Sequence, residues 1–215
     1  MNETELRHAL IETALAAQRE GLNRGTSGNL SVRYDAGFLI SPSGISAAEQ
    51  TPNDIVFMDM DGNPRGRCKP SSEWRFHRDI LAARPELDAV LHAHSTFATT
   101  LACVGKDIPP FHYMIAAAGG KTIRCAPYAT FGTQQLSDHA LKAMEGRKAC
   151  LLSNHGMIAA GLSLESALAL AIEVETLCEQ YCRVLQIGKP VILPDDEMNV
   201  ILEKFKSYGQ QAKGT

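Results

Sequence analysis

The triplet His92-Ala93-His94 sets two imidazoles two residues apart. On a β-strand that spacing sends both side chains to one face, where together they form half of a zinc-type metal site. The competing reading is a pair of partly exposed surface histidines. The neighbours Val90, Leu91 and Ala93 make the segment core-like, where unpaired polar groups are costly, and this favours ligation. A third imidazole, His155, stands in Ser153-Asn154-His155-Gly156 after the apolar run Ala149–Leu152, at a strand end of the kind where α/β sheets build their sites. Taken alone it reads as a hydrogen-bonded loop residue. Glu73 falls in the first turn of an expected helix, where the dipole favours a carboxylate with or without a function. Spacing does not show that these four residues converge.

A second group of residues suits an anion. Ser71-Ser72 open the same expected helix, whose N-terminal N–H groups can hold a phosphate, and Lys69 lies just before them. The loop Gly25-Thr26-Ser27-Gly28-Asn29 and the turn Ser43-Gly44 add backbone and side-chain donors. Each loop taken singly also reads as an ordinary turn. Gly120-Lys121-Thr122 imitates the end of a P-loop, but the glycine that motif needs five positions earlier is Ile115. No GxGxxG is present, so nucleotide binding has little support.

These residues need a scaffold, and the composition bounds it. The chain has 215 residues, of which 45% are hydrophobic and 21% charged, with a net charge of −3. That fits one α/β domain and argues against disorder, collagen, coiled coil or a nucleic-acid scaffold. No apolar run approaches the ~18 residues of a membrane helix. The start, Met1-Asn2-Glu3-Thr4-Glu5, is acidic where a secretory signal is basic and then apolar, so the expected location is cytoplasmic, without a membrane partner. Cys68, Cys103, Cys125, Cys150, Cys178 and Cys182 contain no CxxC and read as reduced, mostly buried thiols.

Apolar periodicity predicts helices over 4–20, 73–83 (capped by Ser71-Ser72), 96–103, 164–185 and 196–208. Strands are expected over 30–34, 38–41, 55–58, 89–94, 121–125, 149–153 and 157–160. No linker or repeat interrupts them. The expected architecture is a single α/β domain, residues 1–215, with a central mixed or antiparallel sheet covered by helices.

Taken together and in this order, the segments resemble the class II aldolase/adducin family, most of all its fuculose-phosphate aldolase branch. They are Gly21-Leu22-Asn23 with Gly25 to Tyr34, Pro70-Ser71-Ser72-Glu73-Trp74-Arg75-Phe76-His77 and His92-Ala93-His94. His112 to Gly120, Cys125 to Thr133, Asn154-His155-Gly156 and Glu203 to Gly209 complete the match over nearly the whole chain. The resemblance implies a catalytic Zn²⁺, one per subunit, held by His92, His94 and His155, with Glu73 as a displaceable fourth ligand; Co²⁺ or Mn²⁺ suits the same donors. It implies a phosphate pocket of Gly28, Asn29, Ser43, Gly44, Ser71 and Ser72. It implies reversible cleavage of a ketose 1-phosphate to dihydroxyacetone phosphate and an aldehyde, with Glu73 moving a proton beside the carbonyl and Tyr113 serving at the aldehyde oxygen. Phe131, Phe205 and Tyr208 would line the aldehyde end, and residues 196–215 would close the site. A homotetramer with sites between subunits is also implied.

The sequence departs from that branch at Ala93, where asparagine separates the two histidines, at Asn154, where histidine precedes the third, and at Ser43, where threonine stands. The ligands are kept, so the aldol class stands, and the substrate widens from L-fuculose 1-phosphate to 5-deoxy- or 5-methylthio-pentulose 1-phosphates, the latter belonging to methylthioadenosine salvage. The family's 4-epimerases carry Asp at the position of Glu73 and lack the segment from Tyr113 to Gly120. Its methylthioribulose-phosphate dehydratase is less similar around Tyr113. A non-catalytic, adducin-like assembly domain would be under no constraint to keep every ligand.

Overall fold

The computed structural model describes residues 1–206. Its centre is one eight-stranded sheet in the order β4-β3-β2-β1-β5-β8-β7-β6. The strands are β1 (Asn29–Tyr34), β2 (Gly37–Ile40), β3 (Val56–Asp59), β4 (Pro64–Arg65), β5 (Ala89–Ala93), β6 (Cys125–Ala126), β7 (Ala149–Leu152) and β8 (Gly156–Gly161). Every pairing is antiparallel except β6 with β7. The sheet is therefore mixed, as the alternation of elements predicts.

Helices cover both faces. On one side α1 (Glu3–Arg19), α3 (Thr96–Ala102), α5 (Leu164–Ile187), α6 (Asp195–Lys206) and a 3₁₀ turn (Tyr113–Ala118) share a core with Leu30, Leu91, Met157 and Ala159. On the other, α2 (Trp74–Ala83) and α4 (Gln134–Ala143) pack on Phe38, Val90, Cys150 and Ile158. The alternation of Val90 and Leu91 between the two cores shows why β5 reads as an unbroken apolar run: both its faces are covered.

Several expectations are corrected. The strand expected over 121–125 shrinks to Cys125–Ala126, because Ile123 instead bridges Ile108 in the preceding loop. The helix expected to be serine-capped starts at Trp74 with Glu73 as its N-cap, and no side chain caps it. The Ser71 hydroxyl is drawn into a tighter turn, accepting from the Glu73 N–H at 3.3 Å, while Ser71 C=O accepts from Trp74 N–H at 3.2 Å. Only Cys150 and Cys178 of the six cysteines are buried; Cys68, Cys125 and Cys182 are half-buried and Cys103 is exposed, all unpaired as thiols. Among the described residues no helix is long and apolar enough to cross a membrane.

Candidate metal and anion site

Three elements bring the candidate ligands together. His92 lies on central β5 and is fully buried, and His94 follows the strand's last residue, so the period of two holds across the strand end. His155 closes the tight turn between β7 and β8, its N–H donating to Leu152 C=O at 3.0 Å. That turn places Asn154 at a left-handed φ of 55°, which asparagine tolerates. Gly156 is required beside it: a Cβ there would stand 2.3 Å from Ala93 C=O. Glu73 enters from the opposite direction, at the head of α2. One donor atom from each of Glu73, His92, His94 and His155 lies within 4.8 Å of the others.

The polarity of the cluster fits a cation. His92 Nδ1–H donates to Met157 C=O at 2.9 Å, which leaves Nε2 with its lone pair facing inward. That Nε2 sits 2.9 Å from His94 Nε2 and 3.2 Å from Glu73 Oε2. His155 Nε2 is 3.2 Å from Glu73 Oε1, a buried oxygen that has no hydrogen bond. Burial resists charge on Glu73, but His92 and His155 outweigh it and hold the carboxyl well below its ordinary range. Burial likewise opposes a proton on His92, yet the Glu73 carboxylate shifts it upward on balance. Partial burial brings His94 down to about 4, with its crowding against His92 and His155 adding to the effect, so it stays a neutral donor. Three imidazoles and one orphaned carboxylate oxygen suit a divalent cation of the zinc type with an open position.

Glu73, His94 and His155 line a cavity of about 360 Å³, while His92, fully buried, does not reach it. Gly28, Asn29, Ser43, Gly44, Ser71 and Ser72, the six residues expected at the phosphate, all line it. Their segments are laced together: Ser43 N–H donates to Lys69 C=O at 3.0 Å, and Ser71 N–H to Ser41 C=O at 2.9 Å. Gly28 has a φ of 77°, and a Cβ there would meet the Asn23 amide at about 2.2 Å, so the loop needs glycine twice over. Asn23 in turn accepts from the His94 N–H at 3.1 Å, tying the loop to the ligand strand. Lys69 does not line the cavity, and among the described residues no lysine or arginine does, so an anion there would meet neutral donors.

The aldehyde-end residues are distributed differently. Phe131 lines the cavity and is 65% exposed. Tyr113 is 51% exposed at the start of the 3₁₀ turn and does not line it. Phe205 is half-buried against the core on the α5 side, so within this chain it does not cover the cavity. Tyr208 lies outside the described residues. Thr26 and Ser27 of the glycine loop and Asn154 before His155 also line the cavity, as does Tyr128, which the sequence reading does not name as a site residue.

His77 lies behind the cluster. Burial lowers its pKa from 6.5 to about 3, with the His92 charge adding to the effect. The unfolded chain then takes up this proton first, so the contribution of neutral His77 is complete above pH 6.5 and is lost as pH falls toward 3. At pH 5 the loss is about 2 kcal/mol. Urea unfolding at pH 7 and pH 5 should show a drop in stability smaller by that amount in His77→Gln than in the parent. An equal drop in both would contradict the burial of a neutral imidazole.

Comparison with known proteins follows the same lines. A family model described as Class II Aldolase and Adducin N-terminal domain matches residues 8–182. A 5-methylthioribulose-1-phosphate/5-deoxyribulose-1-phosphate aldolase from Rhodospirillum rubrum is 62% identical over 208 residues, covering 97% of this chain and 94% of the relative. An L-fuculose phosphate aldolase from Escherichia coli K12 is 50% identical over 210 residues, covering 97% and 98%. A solved structure of an L-fuculose 1-phosphate aldolase superposes with a TM-score of 0.90 at 45% identity, covering 94% of this chain and 96% of that one.

Proposed function

The chain belongs to the class II aldolase and adducin family and is a class II aldolase, a lyase acting on a sugar phosphate; we propose that its substrate is a 5-deoxy- or 5-methylthio-pentulose 1-phosphate, cleaved reversibly to dihydroxyacetone phosphate and an aldehyde. The observation that carries this reading is the convergence of three imidazoles and Glu73 beside a cavity that Glu73, His94 and His155 line together with hydroxyls and glycine turns. A divalent cation held by His92, His94 and His155, which we propose to be Zn²⁺, supplies Lewis-acid polarisation of the substrate carbonyl.

The remaining work falls to the chain's own residues. In the condensation direction Glu73 takes the proton from the carbon beside the carbonyl of dihydroxyacetone phosphate, and in cleavage it returns a proton to that carbon once the carbon–carbon bond has broken, in both cases through the oxygen that has no hydrogen bond. Gly28, Asn29, Ser43, Gly44, Ser71 and Ser72 anchor the phosphate at a distance from the bond that breaks, so binding energy orients the reacting carbons. Phe131 and Tyr128 offer aromatic surface at the rim, suited to the apolar cap of a methyl or methylthio aldehyde. We assign Tyr113, Phe205, Tyr208 and residues 196–215 to a neighbouring subunit's site in a homotetramer. Support for that assignment is the exposure of Tyr113 on a surface away from its own cavity. Its cysteines, all unpaired, suit a cytoplasmic enzyme.

The test is release of dihydroxyacetone phosphate from a panel of ketose 1-phosphates differing at carbon 5. The 5-deoxy and 5-methylthio compounds should give the highest kcat/KM; preference for L-fuculose 1-phosphate would overturn the substrate assignment. Ser71→Ala combined with Ser72→Ala should raise KM by about 10- to 100-fold, the loss of one to two hydrogen bonds to a charged group. Metal content should stay at the parent level, and a loss of metal would merge the two halves of the site.

A further inference from the structure

Among the described titratable groups, His77 is fully buried and has no part in the chemistry above, yet it is joined to the site by a chain of short hydrogen bonds. Asn29 Nδ2 donates to Glu73 Oε2 at 3.0 Å. The other end of that amide, Oδ1, lies 2.5 Å from His77 Nε2. His77 Nδ1 lies 2.7 Å from the Ser31 hydroxyl. Because Asn29 must present its NH₂ to a carboxylate, its oxygen faces His77, and Nε2 must carry the imidazole proton. Nδ1 then holds the lone pair and accepts from Ser31 Oγ–H. Each donor has its acceptor in one direction only.

Two local spacings produce this ladder. Asn29 and Ser31 are two apart on β1 and share a face, while Glu73 and His77 are four apart at the head of α2 and share a side. Strand and helix repeats of about 6 to 7 Å and 6 Å place the two rungs opposite one another. Phe76 stacks on the His77 ring at 4.7 Å and closes it from water.

We propose that His77, acting through Asn29, is a positioning residue that holds Glu73 Oε2 and so leaves Oε1 as the oxygen that meets the substrate proton. Without an N–H at position 77 the Asn29 Oδ1 loses its donor and the amide is tethered only through Glu73 Oε2. Held at one end, it swings with the carboxylate and no longer fixes its place. The role rests on the aldolase reading; the direction of the hydrogen bonds does not.

The direction is read by nitrogen-15 NMR of the metal-loaded full chain without substrate. The neutral Nε2–H tautomer is expected for His77, and an Nδ1–H tautomer would overturn the proposal. The role is read from kcat, KM and metal retention against a chelator. His77→Leu should lower kcat about 10- to 100-fold, the usual cost of removing a group behind a ligand, with KM within twofold. His77→Gln, which keeps an N–H within reach of Asn29 Oδ1, should recover most of that loss. In an Asn29→Ala background His77→Leu should cost nothing further; an equal cost in both backgrounds would make His77 a packing residue and overturn the proposal. Should His77→Leu fail to fold, Ser31→Ala, which frees Nδ1, carries the same comparison with a smaller loss. A parent enzyme that cleaves no ketose 1-phosphate would remove the reaction and the role with it, while the NMR result would still report the relay.

Discussion

Glu73→Gln lowers turnover of the ketose 1-phosphate by about 10²- to 10⁴-fold, the range a positioned general base supplies, with fold and metal content near the parent. The direction of the loss follows from the hydrogen bonds on the two carboxylate oxygens. Asn29 Nδ2 donates to Oε2, so the new amide must turn its carbonyl oxygen there and place its NH₂ where Oε1 stood. Oε1 is the oxygen with no hydrogen bond, and an NH₂ in its place can neither deliver a proton to the enediolate carbon in cleavage nor take one from it in condensation. The three imidazoles remain, which is why metal is retained. Steady-state release of dihydroxyacetone phosphate and metal analysis of the same sample decide the matter. Turnover at the parental rate would remove Glu73 from proton transfer.

His92→Ala should abolish both metal retention on dialysis and turnover. This imidazole is fully buried, is fixed in its tautomer by Met157 C=O, and stands within 3.2 Å of both His94 and Glu73. Its loss leaves two imidazoles and an uncompensated carboxylate in a buried site, and a cavity beside Phe76, whose ring meets His92 edge-on at 5.4 Å. Because the cavity alone would lower stability, His155→Ala separates the effects. That ring sits on a surface turn with its side chain 12% exposed, against full burial for His92, so the variant should lose metal while its urea midpoint falls less below that of the metal-stripped parent than His92→Ala does. Retention of metal by either variant would contradict the ligand set.

Much of the site was legible because strand geometry is local. The period of two that pairs His92 with His94 needs no knowledge of the rest of the chain, and both rings do converge. The turn at Asn154-His155-Gly156 could be placed at a strand end, but its approach to β5 depends on β8 pairing with β5, which spacing cannot reveal. The relay from Ser31 to Glu73 was missed for the same reason. Asn29 and His77 are 48 residues apart, and nothing within either segment announces the other. The start of α2 was misplaced because serine is a good N-cap, yet the Ser71 oxygen is taken by the Glu73 N–H in a turn that aims the carboxylate at the histidines. Helix α4 did carry its signals, a Thr133 cap bonded to Leu136 N–H and an apolar stripe of Leu136, Ala140 and Ala143, and was passed over. The cysteines show the limit of a composition argument: their reduced state follows from usage, but their burial is set residue by residue by the packing.

The central claim is that Glu73 and the three-histidine cluster remove a proton from the carbon beside a phosphate-anchored carbonyl. Incubation of metal-loaded protein with dihydroxyacetone phosphate alone in D₂O tests it most directly, because no aldehyde need be known. The account predicts stereospecific uptake of one deuterium at the hydroxymethyl carbon, abolished by chelation and by Glu73→Gln and restored by returning the cation to the parent. Metal-loaded parent protein that exchanges no deuterium, or exchange that survives both chelation and Glu73→Gln, would contradict it.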